Sequence, residues 1–299
     1  MPEESTLYFI ELLVNGVLAG AIYALISLAF VVVYKASRMI NFALGEWVMV
    51  ASKLVASGLH VLGLGLVGAI GFGMAGMVGL AVGFNRLVLH RLVGRPVITL
   101  IMVTIGLGVL LRALVVFVFT GMPGSITLPI TQEPLNLQGV LISVDELVAA
   151  GIAIICIAMI SWFFQRSRTG VALRAVADDQ QAAMVVGIDV NRHFAITWAL
   201  AGIIAVIAGT LWTFISGGGF GLVLVGLKVF PIVFIGGLDS IPGVIIGAIF
   251  IGLLESVMAG YIDPIVGGGF SSIASYFVLV TVLFIRPYGL FGGPDIERV

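Results

Sequence analysis

Long apolar segments separated by short polar connections dominate the chain. The apolar segments fall at residues 7–34, 40–59, 61–88, 97–119, 143–165, 192–215, 222–238, 241–259 and 272–291. Most of them reach the roughly 20 residues that a helix needs to cross a bilayer. The segment at 222–238 is short and the one at 40–59 contains charged residues, so either could instead be re-entrant. The pattern predicts an all-α polytopic membrane protein with about eight or nine transmembrane helices.

Composition supports this interpretation and excludes several classes of protein. Hydrophobic residues make up 61% of the 299 positions and charged residues only 10%, too few to solvate the surface of a soluble domain of this length. The net charge of −1, without a polybasic run, argues against nucleic acid as a partner. The single cysteine, Cys156, excludes an internal disulfide. We therefore expect membrane lipid as the surroundings of a single transmembrane domain over residues 1–299.

The distribution of Lys and Arg predicts the orientation of the chain. The connections near 120–142, 216–227 and 260–271 contain no basic residue. Eleven of the 14 basic residues fall on the other side: Lys35, Arg38, Arg86, Arg91, Arg95, Arg166, Arg168, Arg174, Arg192, Arg286 and Arg298. By the positive-inside rule that side is cytoplasmic, and nine crossings then put the N-terminus outside and the C-terminus inside.

Two features suggest how the helices are related and packed. The order of a long helix, a shorter helix and a glycine-rich helix occurs near each end of the chain, in opposite predicted directions, as an inverted repeat requires. The chain contains 40 glycines, which suits close helix packing. Pairs of small residues four positions apart are candidates for such contacts: Ala69/Gly73, Gly79/Gly83, Ala205/Gly209 and Gly243/Gly247.

A polar segment at about 166–192 keeps a helical pattern of its own between apolar segments. Leu173, Val176, Ala177 and Met184 recur at spacings of three, four and seven, which predicts a helix with one apolar face. Arg174, Asp178 and Gln181 fall on the opposite face. A short amphipathic helix between two spans can bind a soluble partner, although a helix lying in the headgroup layer is the alternative.

The same segment resembles the EAA loop of ABC importer permeases, which binds the ATPase. The similar residues are Gln181, Ala182 and Ala183, followed by Gly187, although Gln181 replaces the Glu of that motif and the motif's Ile-x-Leu-Pro is absent. The resemblance implies a coupling loop at about 166–192. Its candidate ATPase-coupling residues are Arg174, Asp178, Asp179, Gln181, Ala182, Ala183 and Gly187.

Polar residues also occur within the apolar segments, where each costs a few kcal/mol if it faces lipid. Lys53 and Lys228 are most simply explained by hydrogen bonds between helices or by extension to the interface. Asn41, Glu46 and Glu255 are our candidates for the lining of a translocation path. Asn41 and Glu46 lie just inside a span, and they need not share a helix face unless Gly45 breaks the helix.

No enzymatic constellation is present in the sequence. His60, His90 and His193 are isolated, and the HExxH, GxSxG and CxxC motifs are missing. We therefore assign no catalytic residue, no metal ligand and no cofactor. The chain also lacks a P-loop, so a process driven by ATP would need separate ATPase subunits.

Three blocks, at residues 15–46, 168–189 and 236–256, together with the C-terminal RPYGLFGGPDIERV, resemble the first of the two permeases of branched-chain amino-acid ABC importers. The resemblance covers nearly the whole chain, with the blocks in the family's order. Leu44 stands where many relatives have His, and Lys35 stands where they have Gly.

The resemblance implies an ABC importer permease fold in a bacterial plasma (inner) membrane. It also implies a second homologous permease, two cytoplasmic ATP-binding subunits and an extracytoplasmic solute-binding protein. The cargo would be branched-chain or related amino acids, with urea, amides or other small organic solutes as the alternative. A stand-alone secondary transporter or channel is a further alternative, but it would have no use for the 166–192 segment.

Overall fold

The computed structural model describes residues 2–92, 95–130, 133–137, 139–286 and 289–292 of a predominantly helical chain. All nine apolar segments of the sequence correspond to helices, so the predicted all-α polytopic fold is confirmed. A single 3-10 turn at Leu89–Arg91 follows α3. The helices are α1 (Pro2–Ser37), α2 (Leu44–His60), α3 (Leu66–Leu87), α4 (Val97–Phe119), α5 (Val144–Arg166), α6 (Arg168–Asp178), α7 (Gln180–Val185), α8 (Val190–Ser216), α9 (Gly221–Gly236), α10 (Ile241–Tyr261), α11 (Asp263–Val266) and α12 (Phe270–Ile285), with strands β1 (Leu135–Leu137) and β2 (Val140–Ile142).

Within the part of the chain that the structure describes, six helices are long and apolar enough to cross a membrane: α1, α3, α4, α5, α8 and α10. The helices α9 and α12 have 16 residues each and α2 has 17. At 1.5 Å per residue, 16 residues rise about 24 Å, less than the hydrocarbon thickness of about 30 Å. The helix α9 also contains Pro231. The short segments of the sequence are therefore short helices.

Contacts divide the described chain into two units. The first consists of residues 1–27, 129–155 and 228–299, and the second of residues 28–128 and 156–227. Neither unit is a continuous stretch of sequence. A single permease domain over 1–299 stays a prediction, as does the inverted repeat.

The core of the second unit is formed by α2, α3 and α8. Trp47 on α2 and Trp198 on α8 are both completely buried, and their rings meet edge to face with centroids 5.3 Å apart. Phe84 on α3 packs 5.0 Å from Trp198. Aromatic pairs in this geometry stabilise a core beyond the apolar area they bury. The three helices are thus joined at one aromatic cluster.

Small residues permit close helix contacts at three of the four predicted pairs. A Cβ on Gly73 would lie 2.6 Å from Val55 Cγ2, and one on Gly209 would lie 2.9 Å from the carbonyl oxygen of Val48. Gly243 and Gly247 approach the backbone of α9 in the same way. The pair Gly79/Gly83 was wrong, because a Cβ on either glycine would meet nothing within 4 Å.

In the first unit, α1 packs against α10 through glycines. A Cβ on Gly20 would lie 2.8 Å from the Cα of Ile249, so the backbones touch there. The connection at 120–142, which sequence patterns left without regular structure, contains the antiparallel hairpin of β1 and β2. At its turn, the Asn136 side chain accepts a hydrogen bond from the Gly139 amide at 2.9 Å, and Gly139 has a φ of +95°. Only glycine adopts that backbone conformation without steric cost.

Candidate functional site

The chain leaves helical geometry between α1 and α2. The Asn41 side chain, which is fully buried, accepts a hydrogen bond from the Ala43 amide at 3.0 Å and so forms a local turn before α2 begins. Its side-chain nitrogen, Nδ2, has no hydrogen-bond partner among the described residues. Asn41 therefore precedes the helix that contains Glu46. The break falls before Gly45, which lies in the first turn of α2.

Thr104 on α4 holds this turn in place. Its hydroxyl accepts a hydrogen bond from the Phe42 amide at 3.3 Å, and its one proton is shared between the carbonyl oxygens of Ile40, 3.1 Å away, and of Ile101 on its own helix, 2.9 Å away. A turn inside an apolar environment exposes backbone groups that must be paired. A single threonine on the neighbouring helix satisfies two of them.

Glu46 forms an ion pair with Arg112 of α4. The Arg112 Nη2 atom donates to Glu46 Oε1. The Glu46 side chain is only 7% exposed, whereas that of Arg112 is 51% exposed. A Cβ on Gly108 would lie 3.3 Å from the second carboxylate oxygen, so the glycine leaves room for Glu46 against α4. The pairing offsets the cost of placing each charge within apolar surroundings.

Arg112 also lines an open groove of about 870 Å³ on the second unit. We call it the Arg112 groove, and its walls include Val109, Val116, Phe117, Thr120 and Phe220. Phe117 is 90% exposed. The Thr120 hydroxyl donates to the carbonyl oxygen of Val116. The groove therefore combines apolar walls with one half-exposed guanidinium.

Glu255 belongs to a separate cluster in the first unit. Its Oε2 atom accepts hydrogen bonds from the Tyr23 hydroxyl at 2.7 Å and from the Lys228 ammonium at 2.9 Å. These residues lie on α10, α1 and α9, so the hydrogen bonds join three helices. The interpretation of Lys228 as an interhelical residue agrees with this geometry. Oε1 of Glu255 has no partner among the described residues.

The 166–192 segment forms two short helices, which corrects the prediction of one continuous amphipathic helix. The break occurs at Asp179, whose Oδ1 atom accepts hydrogen bonds from the amides of Gln181 at 2.8 Å and Ala182 at 2.9 Å. Asp179 is therefore the N-cap of α7, a role that aspartate fills better than a helix interior. Ser167 caps α6 in the same way, with its hydroxyl 2.8 Å from the Gly170 amide.

The break changes which residues face outward. Leu173, Val176 and Ala183 are buried within the chain, with Ala183 only 3% exposed. Met184, which the sequence pattern placed on the same apolar face as Leu173, is instead 48% exposed. Val185 and Val186 continue this exposed surface, at 86% and 74%. We call Met184, Val185 and Val186 the apolar tip of the segment.

The other candidate coupling residues belong to the same segment. Asp178, Asp179, Gln181 and Ala182 are exposed and Arg174 is half-buried. Gly187 has a φ of +85°, a backbone conformation that glycine adopts without steric cost. The Gly187 amide donates to the carbonyl oxygen of Met184 at 3.1 Å and closes α7. Substitution of Gly187 would therefore strain the backbone although a Cβ would meet nothing within 4 Å.

Of the three predicted path residues, none contacts another directly in the described hydrogen bonds. Asn41 and Glu46 are in the second unit and Glu255 is in the first. The sequence showed Arg112 as a polar residue within an apolar segment but did not pair it with Glu46, and it gave no role to Tyr23, which pairs with Glu255. An arginine inside an apolar segment was the available signal, because such a residue needs a partner. The roles of Asn41, Glu46 and Glu255 in a path stay predictions.

Comparison with known proteins gives matches over nearly the whole chain. A family model described as "Branched-chain amino acid transport system / permease component" matches residues 12–285. The chain is 28% identical to the high-affinity branched-chain amino acid transport system permease protein LivH of Escherichia coli K12, over 99% of both chains. It is 29% identical to BraD of Pseudomonas aeruginosa, which has the same description, over 100% of both chains.

Two further similarities are more limited. A probable branched-chain amino acid transport permease protein LivH of Methanocaldococcus jannaschii is 32% identical over 42% of each chain. Among solved structures, PsaBC from Streptococcus pneumoniae in complex with Fab covers 93% of this chain and 92% of its own, with a TM-score of 0.49 and 17% identity. Similarity at that level does not establish a shared fold.

Proposed function

The chain belongs to the branched-chain amino acid transport permease family, and from this membership we propose that it forms, with a second homologous permease, the membrane path of an importer for branched-chain or related amino acids. It is a non-catalytic permease subunit of an ABC importer and a multi-pass protein of the inner membrane. Importers of this family work with ATPase subunits and a solute-binding protein. The observation that carries the proposal is the match of residues 12–285 to the family model.

The proposed cargo rests on the relatives. LivH and BraD are both named as high-affinity branched-chain amino acid permeases, and each aligns with this chain end to end. Urea, amides and other small organic solutes stay the alternative cargo. The contacts of Asn41, Glu46 and Arg112 support the proposal of a polar route beside α2 and α4, without deciding the cargo.

We propose that the apolar tip binds one of the two cytoplasmic ATPase subunits. Val185 and Val186 are the most exposed apolar residues of the segment, and the polar residues Asp178 and Gln181 of the same segment are exposed as well. An exposed apolar surface with a polar rim is typical of a protein contact. The excess of Lys and Arg around the segment supports its cytoplasmic side.

The exposure of each residue decides which substitution can test the contact. Ala183 is buried within the chain, so Ala183→Arg would damage the segment itself as well as any interface. Val185→Arg instead places a charge on the exposed surface. We expect it to insert and to pair with the second permease but to lose the ATPase on purification, whereas Val185→Met, which stays apolar, keeps it. Normal copurification of the ATPase with Val185→Arg would leave the segment as an interfacial helix.

Transport is tested in proteoliposomes that contain both permeases, the ATPases and an external binding protein. We expect ATP-dependent uptake of leucine, isoleucine and valine, and no uptake when this chain is the only protein present. Uptake of urea or of amides, with none of the three amino acids, would select the alternative cargo. Uptake by this chain alone in response to an ion gradient would contradict the ABC importer mechanism.

A further inference from the structure

We propose that Arg112 binds the carboxylate of the cargo in the Arg112 groove, so that the permease itself favours carboxylate-bearing apolar solutes over urea and amides. The inference rests on the proposed function and specifies its substrate class. It concerns a residue that was not among the candidate path residues Asn41, Glu46 and Glu255.

The first step is the division of charge within the ion pair. Glu46 is buried and presents almost none of its side chain to solvent, whereas half of the Arg112 side chain is exposed. The pair is neutral as a whole, but its outward end is the guanidinium. The only described hydrogen bond of Arg112 uses its Nη2 atom, and a guanidinium has five N–H donors. Donors therefore remain on the groove side.

The second step is the position of Arg112 along α4. It lies seven residues before the helix ends at Phe119, which corresponds to about 10 Å at 1.5 Å per residue. An arginine at this depth commonly extends toward the headgroups. Arg112 instead turns to Glu46 on α2. The ion pair thus holds the guanidinium at a fixed place inside the apolar span, where an anion from bulk solvent would otherwise find no partner.

The third step is the match between the groove and an aliphatic amino acid. Val109, Val116, Phe117 and Phe220 are each at least half exposed and offer apolar surface beside the guanidinium. A guanidinium matches the two oxygens of a carboxylate in planar, bidentate geometry. A solute with a carboxylate at one end and a branched aliphatic group at the other satisfies both features. Urea and simple amides bring no negative charge.

The experiment measures protection of a cysteine placed in the groove of the complete importer. Cys156 is first replaced by Ser, because it is the only native cysteine. Val116→Cys then reports on the groove, four residues from Arg112 on the same face of α4. Leu114→Cys, on a different face, is the control. Alkylation is followed in phosphatidylcholine vesicles with leucine, with isovalerate, which keeps the carboxylate but lacks the ammonium and should protect as leucine does, or with isovaleramide, which lacks both charged groups.

We expect leucine to slow alkylation of Val116→Cys but not of Leu114→Cys, and isovaleramide to slow neither. Arg112→Gln should shift the leucine concentration for half-protection about tenfold upward, which corresponds to 1.4 kcal/mol. Arg112→Lys should recover part of this loss. The double variant Glu46→Gln/Arg112→Gln, which removes both charges and leaves no unpaired buried carboxylate, should lose protection while still binding the ATPase. Because lysine also restores the ion pair with Glu46, a purely structural role of the pair is recognised instead by a loss of ATPase binding together with the loss of protection.

Several outcomes would overturn the inference. Equal protection by leucine and isovaleramide would remove the carboxylate from recognition. Protection by phosphatidylglycerol vesicles without any effect of leucine would assign the groove to lipid. If Val116→Cys reacts in the isolated chain but never in the complex, the Arg112 groove is covered by the second permease and not open to cargo. ATP-driven leucine uptake is measured in parallel: uptake without protection rejects only this inference, whereas absence of uptake rejects the proposed function.

Discussion

The Nε atom of Arg38 donates a hydrogen bond to the carbonyl oxygen of Ala177, 3.4 Å away. Arg38 lies in the turn between α1 and α2, three residues before Asn41, and Ala177 lies in the last turn of α6. The Arg38 guanidinium also sits 5.7 Å from the ring centre of Tyr34. The contact therefore connects the predicted coupling segment with the turn that leads to Glu46.

Loss of the Arg38 side chain should reduce the coupling of transport to ATP hydrolysis. Arg38 has a φ of +56°, unusual for a residue with a side chain, so Arg38→Gly removes the contact and also relieves a strain of about 1 kcal/mol. We expect Arg38→Ala and Arg38→Gly to lower leucine uptake per ATP hydrolysed, with Arg38→Gly the more stable of the two. Uptake and hydrolysis measured together in proteoliposomes decide this, and unchanged coupling in both variants would contradict it.

Gly226→Ala should destabilise the second unit. The Cβ would fall against the Cα of Gly45 on α2, where the two backbones are in contact. Such overpacking typically costs about 1–3 kcal/mol. Gly221→Ala is the matched control on the same helix, since a Cβ there would meet nothing within 4 Å. Thermal unfolding in detergent should show a lower midpoint for Gly226→Ala only, and equal midpoints would show that α9 can shift to accommodate the methyl group.

Glu255→Gln should destabilise the first unit more than removal of the whole charge pair does. The single change leaves the Lys228 ammonium, whose side chain is 20% exposed, without its counter-ion. Breaking one side of a buried pair costs about 3–5 kcal/mol, whereas an apolar replacement of both is often neutral. We expect Glu255→Leu/Lys228→Met to unfold at a higher temperature than Glu255→Gln. If the double variant also transports normally, Glu255 is not part of the route.

Stability of the connection between α10 and α12 should fall in acid. Asp263 accepts hydrogen bonds from the Ser271 hydroxyl at 2.7 Å and the Ser271 amide at 2.9 Å, and these lower the pKa of its carboxyl. A lowered folded-state pKa contributes stability above the ordinary Asp value of about 3.9 and loses it as the pH falls through the folded value. Between about pH 5 and pH 2, the midpoint temperature of thermal unfolding should fall less steeply in Ser271→Ala than in the unchanged protein. Identical pH profiles would remove Asp263 from the acid response.

Labelling of two introduced cysteines tests the orientation. Thr127 lies in a connection without basic residues, and Asp178 lies in the basic 166–192 segment; both are exposed. In a chain with Cys156→Ser, a membrane-impermeant maleimide should label Thr127→Cys from outside intact cells and Asp178→Cys only after the membrane is opened. Labelling of both from the same side would reject the predicted topology.

Hydropathy predicted the helices because the cost of exposing polar backbone to lipid leaves few alternatives for an apolar segment. Every segment from 7–34 to 272–291 forms one, and the short segment at 222–238 corresponds to the short α9. The hairpin at Leu135–Ile142 was missed because its strands have only three residues each. Patterns of period two need longer runs to be distinguished from a loop.

The site was predicted less well, for identifiable physical reasons. Leu173, Val176 and Met184 share one face only if the helix is continuous. The cap at Asp179 ends α6 and begins α7, so Met184 does not share the buried face of Leu173. An aspartate before the two glutamines was a local signal for that cap. The pairing of Glu46 with Arg112 joins residues 66 positions apart. No local pattern specifies such a partner, because it depends on how α2 packs against α4.

The aromatic cluster gives the second unit an optical signature of its own. The indoles of Trp47 and Trp198 lie edge to face at 5.3 Å, close enough for their transitions to couple, so near-UV circular dichroism reports on their mutual orientation. Their Nε1 atoms have no hydrogen-bond partner among the described residues, and an indole in such surroundings emits at short wavelength. The other two tryptophans, Trp162 on α5, which is 68% exposed, and the half-buried Trp212, contribute to the total emission as well. Because Trp47 adjoins Glu46 in the chain, the buried emission follows the start of α2 during a transport cycle without any attached dye.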